Sequence, residues 1–150
     1  MSNWITITAD DVLTIMAGAE LAAVREQALG DGQTDPLAST ISEIVQLVRG
    51  YVSKAFTLST GETVPRKLRG ATLILVRDRL LSRLPITDLS NADRTAQTNN
   101  AWRLLRDVAA GTFDVDQPDT PITTETSPAA PVQLIHVSRS HFSGHQLDGL

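Results

Sequence analysis

The sequence predicts a mainly helical protein: a bundle of about four to five helices with a short loop or hairpin and an extended C-terminal arm containing one β-strand. Three observations carry this. Apolar residues recur at steps of three and four through the middle of the chain, helix-start signals precede each run, and the composition changes abruptly after Asp116. Periodicity near 3.6 residues marks amphipathic helices, and capping residues mark where they begin. The 150 residues divide into a helical domain over 1–115, a Pro/Thr-rich linker over 116–131 and an arm over 132–150, with its strand at 132–137.

Thr8-Ala9-Asp10-Asp11 reads as an N-cap with an acid at the third helical position, the pattern of a capping box. Asp10 and Asp11 sit where a helix dipole favours negative charge, which explains the pair without catalysis. Val12, Leu13, Ile15 and Met16 form a short first helix ending near Gly18, and a second runs over 19–29. Gly30-Asp31-Gly32 closes it. The Asp31–Asp35 stretch lacks the glycine position and closing glutamate of a calcium loop, so it reads as a turn. Asp35-Pro36 then opens a long helix, a cap residue followed by proline at the first helical position. Its apolar stripe is Ile41, Ile44, Val45, Val48, Tyr51, Val52 and Ala55.

Residues 57–64, with Ser59-Thr60-Gly61-Glu62, read as a loop or small hairpin. Pro65 opens a helix from Arg66 to about Leu84 that is apolar nearly all round, as befits the centre of a bundle or a subunit contact. Ser90 or Asn91 caps the last long helix, and Gly111 is placed to be its C′ residue. Trp102 falls on the aliphatic stripe and reads as core.

Four prolines, Pro118, Pro121, Pro128 and Pro131, then lie among threonines, serines and acids, the composition of an extended linker. Val132 to Val137 is an isolated apolar strand with no partner in its own tail, so it is expected to pair with the body, a neighbouring subunit or another protein.

The net charge of −4 is segmented: eight acids against three bases up to Pro65, nine bases against three acids from Arg66 to Arg106, and six acids against one base beyond. The basic middle, with Arg66, Lys67, Arg69, Arg77, Arg79 and Arg83, suits either charge-complementary packing between copies or a face near an anionic polymer. No aromatic residues interleave with these bases and no recognition module surrounds them, so sequence-specific DNA binding is not expected.

No enzyme is expected either. The chain has no cysteine, and no phosphate loop, nucleophile elbow or zinc spacing occurs. His136, His141 and His145 lie in the tail without helical ligand spacing, so neither metal nor cofactor is anticipated. Met1-Ser2-Asn3-Trp4-Ile5 lacks the basic start and apolar run of a secretion signal, and no stretch approaches the ~20 apolar residues of a membrane span. Synthesis in the host cytoplasm and no membrane partner are the expectation.

The order of motifs adds a resemblance. A Thr-x-x-Asp helix start is followed by Gly50-Tyr51-Val52-Ser53-Lys54-Ala55-Phe56-Thr57-Leu58, then Val64-Pro65-Arg66-Lys67-Leu68 and an apolar helix, then Ala101-Trp102-Arg103-Leu104-Leu105-Arg106-Asp107-Val108-Ala109-Ala110-Gly111. This succession is similar to the Mu-like head–tail adaptor proteins of tailed bacteriophages and prophages, relatives of the head-completion or connector family. The ending His141-Phe142-Ser143-Gly144-His145-Gln146-Leu147-Asp148-Gly149-Leu150 resembles that family's tail as well. The resemblance implies a virion protein of the phage neck: a homo-oligomeric ring of twelve copies under the portal, next to a head-closure, stopper or tail protein, with DNA passing non-specifically through its lumen. It further implies that the arm contacts a neighbour or the portal, through Val132, Leu134, Ile135, Val137, Phe142, Leu147 and Leu150. The six basic residues would then bridge adjacent copies or face the lumen. The +6 middle segment keeps an alternative open, a DNA-binding or DNA-packaging accessory protein.

Overall fold

A computed structural model describes residues 1–28, 34–84 and 91–122. The elements run in the order β1 (Trp4–Thr6), α1 (Ala9–Val12), α2 (Gly18–Ala28), α3 (Pro36–Val52), β2 (Thr63–Pro65), a 3₁₀ turn (Arg66–Leu68), α4 (Arg69–Leu81) and α5 (Ala92–Ala109). The described chain is mainly helical, as the periodicity predicts.

Local chemistry sets each helix boundary. Thr8 caps α1 reciprocally: its hydroxyl accepts from the Asp11 N–H at 3.3 Å, and the Asp11 carboxylate accepts from the Thr8 N–H at 2.8 Å. The Asp35 carboxylate accepts from the Leu37 N–H at 3.0 Å, with Pro36 opening α3. Asn91 caps α5 through the Arg94 N–H at 2.8 Å. At the other end of α5, Gly111 has φ +74°, and Gly111 N–H and Thr112 N–H donate back to Val108 O and Asp107 O. This paired reversal requires a left-handed residue, which is why glycine stands there.

α4 lies at the centre, packed against α5, α3 and α1. Leu73, Val76 and Leu80 on α4 meet Val45, Val48 and Val52 from α3, and Leu105 and Val108 from α5, in one buried cluster that also takes in Val12, Val24 and Leu68. The stripe on α3 is graded: Ile44, Val45, Val48 and Val52 are buried and Ile41 and Tyr51 half-buried, while Ala55, expected on the same helix, lies in the turn beyond its end and is exposed. Thr72 is fully buried on α4, and its hydroxyl is satisfied by donating to Leu68 O at 2.8 Å.

The structure differs from the sequence reading at several boundaries. The first helix, expected to carry Val12, Leu13, Ile15 and Met16 and to end near Gly18, is α-helical only over Ala9–Val12; Leu13 is its C-cap and turns follow, with Thr14 N–H and Ile15 N–H donating to Asp11 O and Val12 O. The continuous helix expected from Arg66 to about Leu84 begins as a 3₁₀ turn and is α-helical only from Arg69 to Leu81, with Ser82 as its C-cap. The region 57–64 does not close on itself as a hairpin; β2 pairs antiparallel with β1, in the register Trp4↔Pro65, Ile5↔Val64 and Thr6↔Thr63. Ile5, Thr6, Thr63 and Val64 are β-branched and suit a pleat, while Pro65, which lacks an N–H, faces Trp4 just before the Arg66 N–H donates across to Asn3 O at 2.9 Å. Trp4 and Val64 are both buried, on opposite faces of this small sheet.

Leu80 is fully buried at the crossing of the helices. Leu80→Ala is expected to lower the unfolding free energy by about 3 kcal/mol, read from urea denaturation with an unchanged m-value.

Candidate functional site

The residues on which the arm was expected to act, Val132, Leu134, Ile135, Val137, Phe142, Leu147 and Leu150, lie outside the described residues, as does the strand over 132–137. The structure does describe the stretch that follows the last helix. Beyond α5, Val115 is buried, and residues 116–122 run over the surface as an extended strap.

The strap is tied at three points. Trp4, itself 3% exposed, donates its indole N–H to Asp116 O at 3.0 Å, while Lys67 Nζ pairs with the Asp116 carboxylate at 3.1 Å. Asp119 accepts from the Asn3 N–H at 3.1 Å. The Ser2 hydroxyl, this backbone N–H and the terminal ammonium hold the Asp119 carboxyl below its ordinary pKa. Finally Thr60 N–H donates to Thr120 O at 3.0 Å and Ile122 N–H to Leu58 O at 2.8 Å, forming a minimal antiparallel bridge between Ser59 and Pro121. The hydroxyl of Thr120 lies 3.1 Å from that of Thr60 and 3.3 Å from that of Ser59. The stretch read as a linker is therefore seated on the domain over its first seven residues, 116–122.

Behind this seat is a residue whose role the sequence did not disclose. Arg49, on the inner side of α3, is only 7% exposed. Its Nη1 donates to Thr63 O and its Nη2 to Ser59 O, both at 2.8 Å. Burial lowers its pKa and nearby Glu62 opposes that shift; the guanidinium remains charged. The forked donors join two backbone carbonyls that no single point donor could hold together. Glu62 is fixed in turn by Ser42 at 2.9 Å and Gln46 at 3.1 Å. An arginine inside an otherwise apolar helical stripe was the available signal, and the charge census alone does not reveal it.

The six basic residues of the middle segment do not gather on one face. Arg66 donates to Ser2 O through Nε and Nη2, at 3.2 and 3.0 Å. Lys67 holds the strap as described. Arg69 pairs with Asp11 at 2.7 Å and Arg79 with Glu43 at 2.9 Å. Arg77 is buried at 6% exposure and donates to Gln97 at 3.0 Å; burial and the neighbouring Arg94 lower its pKa, against Asp78 and Glu20. Arg83 is exposed and has no side-chain partner among the described residues. Five of these six cationic groups are thus bound within the chain.

The helical layer presents a mixed face. Tyr51 and Trp102 are half-buried, their rings tilted at 58° with centroids 6.2 Å apart, and Lys54 Nζ lies 5.1 Å from the Tyr51 centroid. Beside them Ile44, Leu47, Leu75 and Trp102 floor a groove of about 330 Å³ that the Glu43–Arg79 pair borders. Aromatic anchors with a polar border suit protein contacts better than small-molecule chemistry. Among the described residues no group of three or more His, Asp or Glu side chains could hold a metal, and no helix is long and apolar enough to cross a membrane.

The family model described as "Bacteriophage Mu, Gp36" matches residues 7–134, most of the chain. The chain belongs to that family and is a phage protein. No curated protein and no solved structure matches it significantly.

Two outcomes test the site's construction. Arg49→Lys keeps the charge but cannot serve both carbonyls, so urea unfolding is expected to show a loss of about 2 kcal/mol; a loss under 0.5 kcal/mol would contradict the bracing role. Asp11 has its pKa lowered, first by the hydrogen bond from Arg69 and further by Thr8, against burial. A carboxyl depressed on folding stabilises above its unfolded value, near 3.8, and loses that contribution as pH falls through the folded value. Asp11→Asn is therefore expected to cost about 1 kcal/mol at pH 7, with the gap to wild type closing below about pH 4 in urea titrations.

Proposed function

We propose that this chain is a structural head–tail adaptor of the phage neck, assembled in the host cytoplasm into a twelve-fold ring under the portal through which DNA passes. One observation carries the reading beyond membership of the phage family: Asp116 is tied to the buried Trp4 and to Lys67, so the 34 residues after it to Leu150 are tethered to the body at a defined point near the N-terminal strand. A long tail launched from an anchored site suits an arm that must find a neighbouring copy, the portal, or a head-closure or tail protein. Val132, Leu134, Ile135 and Val137, with Phe142, Leu147 and Leu150, supply it with apolar side chains to bury there. The Tyr51–Trp102 face offers the body a protein contact of its own.

The alternative, a DNA-binding or packaging accessory protein, draws on the +6 segment. The pairing of Arg66, Lys67, Arg69, Arg77 and Arg79 within the chain weighs against it. Phosphate binding releases counterions only to the extent that free cations meet phosphates, and committed pairs would have to break first. Passage of DNA through a ring needs no such affinity.

Mixing the protein with the portal from the same phage genome and imaging by electron microscopy tests the proposal. A collar of added density below the portal, with the copy number visible in projection, is expected. No association at any salt concentration, together with binding to duplex DNA that weakens steeply as salt rises, would replace the adaptor with the accessory reading.

A further inference from the structure

The seat of the strap is made of two parts with unequal hold, and that asymmetry points to an exchange. The receiving edge, Leu58 to Thr60, is built without the strap. Arg49 grips Ser59 O and Thr63 O from the interior, Ser42 and Gln46 fix Glu62, and β2 is paired to β1. With the strap in place Ser59 is 4% exposed. The occupying strand, 120–122, is held by backbone bonds and hydroxyl contacts alone, and Thr120, Pro121 and Ile122 are all exposed. Ile122 keeps 42% of its surface in water. A segment that buries so little apolar area opens at low free energy, long before the helices do.

Resting on the adaptor reading, we propose that the Leu58–Thr60 edge is a strand-exchange site: residues 120–122 of the same chain fill it in the free protein, and residues 120–122 of the adjacent copy fill it in the ring. The occupant is a second copy because the edge already fits this segment, and an exchanged strap makes the same bonds it makes at home. Exchange of an identical element therefore costs little, and the high local concentration within a ring decides it. The connection favours it. Val115 is the last buried anchor, and Pro118 restricts the backbone of residues 117 and 118 to extended forms, so the strap is carried on a stiff lead. Thr120 O and Ile122 N–H bond inward, so the outward-facing residue between them is Pro121, which lacks an N–H; the strap's outer side is thus short of a donor to template further strands.

The chain has no native cysteine, so Thr60→Cys and Thr120→Cys, whose hydroxyls lie 3.1 Å apart, give an unambiguous cross-link. The free double variant should oxidise to an intrachain disulfide, confirming that the geometry allows the bond. Reduced, it should form the collar on the portal, and oxidation there should yield chains linked to their neighbours on a non-reducing gel. Single variants mixed in equal amounts should give covalent dimers only after assembly. The double variant locked by oxidation beforehand should lose collar formation and regain it with a reductant. A collar whose disulfides are all intrachain, or a locked variant that assembles as well as the reduced one, would overturn the exchange and leave the adaptor reading standing. Failure of wild-type protein to form any collar would overturn both.

Discussion

Burial of α4 (Arg69–Leu81) is the constraint on which the rest of the structure depends. Its Leu73, Val76 and Leu80 are among the most completely buried side chains, and α1, α3 and α5 each pack on it. Each such aliphatic side chain contributes roughly 1.5–3 kcal/mol when withdrawn from water. A helix covered on so many sides must also deal with the cations interspersed along it. Arg77 is drawn inside and meets Gln97, while Arg69 and Arg79 reach out to Asp11 and Glu43 on other helices. Acids from the segments on either side thus offset part of the charge of the segment that looks strongly basic in the sequence. Arg94 and Glu20 extend the pattern, pairing α5 to α2 at 2.8 Å with both side chains mostly shielded from water.

The second consequence of that packing is where the chain ends meet. With α3 and α4 antiparallel neighbours, β2 lies at the start of α4, and the N-terminal strand is the element that covers it. Trp4 then becomes a buried post to which Asp116 O is tied, and Asn3 receives Asp119. The point of departure of the tail, the start of the chain and the Arg49-braced loop therefore form one construction. On the adaptor reading this matters because a tether's reach and direction are set at its root, and a fixed root raises the local concentration of the arm near its target.

The helices were legible because their signals are local. Asp35-Pro36, the steps from Ile41 to Val52, and Gly111 each act within a few residues, and the structure shows a cap, a stripe and a left-handed C′ residue there. The strand pairing was not legible. Trp4–Thr6 and Thr63–Pro65 are three residues each, too short for a period-2 pattern, and their partnership spans the whole of α1 to α3. The same limit hid Arg49, whose acceptors are backbone carbonyls that any residue could supply, and the seating of 116–122, which rests on backbone and hydroxyl groups. Charge counting did not reveal the pairings of the basic segment for a related reason: it sums along the chain, whereas these pairs form across helices.

The central claim is a rigid body carrying a firmly built seat and a lightly held strap. Native-state hydrogen exchange on the isolated protein tests it most directly, residue by residue. The account predicts that the Thr60 and Ile122 amides, bonded to Thr120 O and Leu58 O, exchange through a local opening several kcal/mol below that of Val76 in α4. Thr60 and Ile122 amides that exchange only with global unfolding, at the same free energy as Val76, would contradict it.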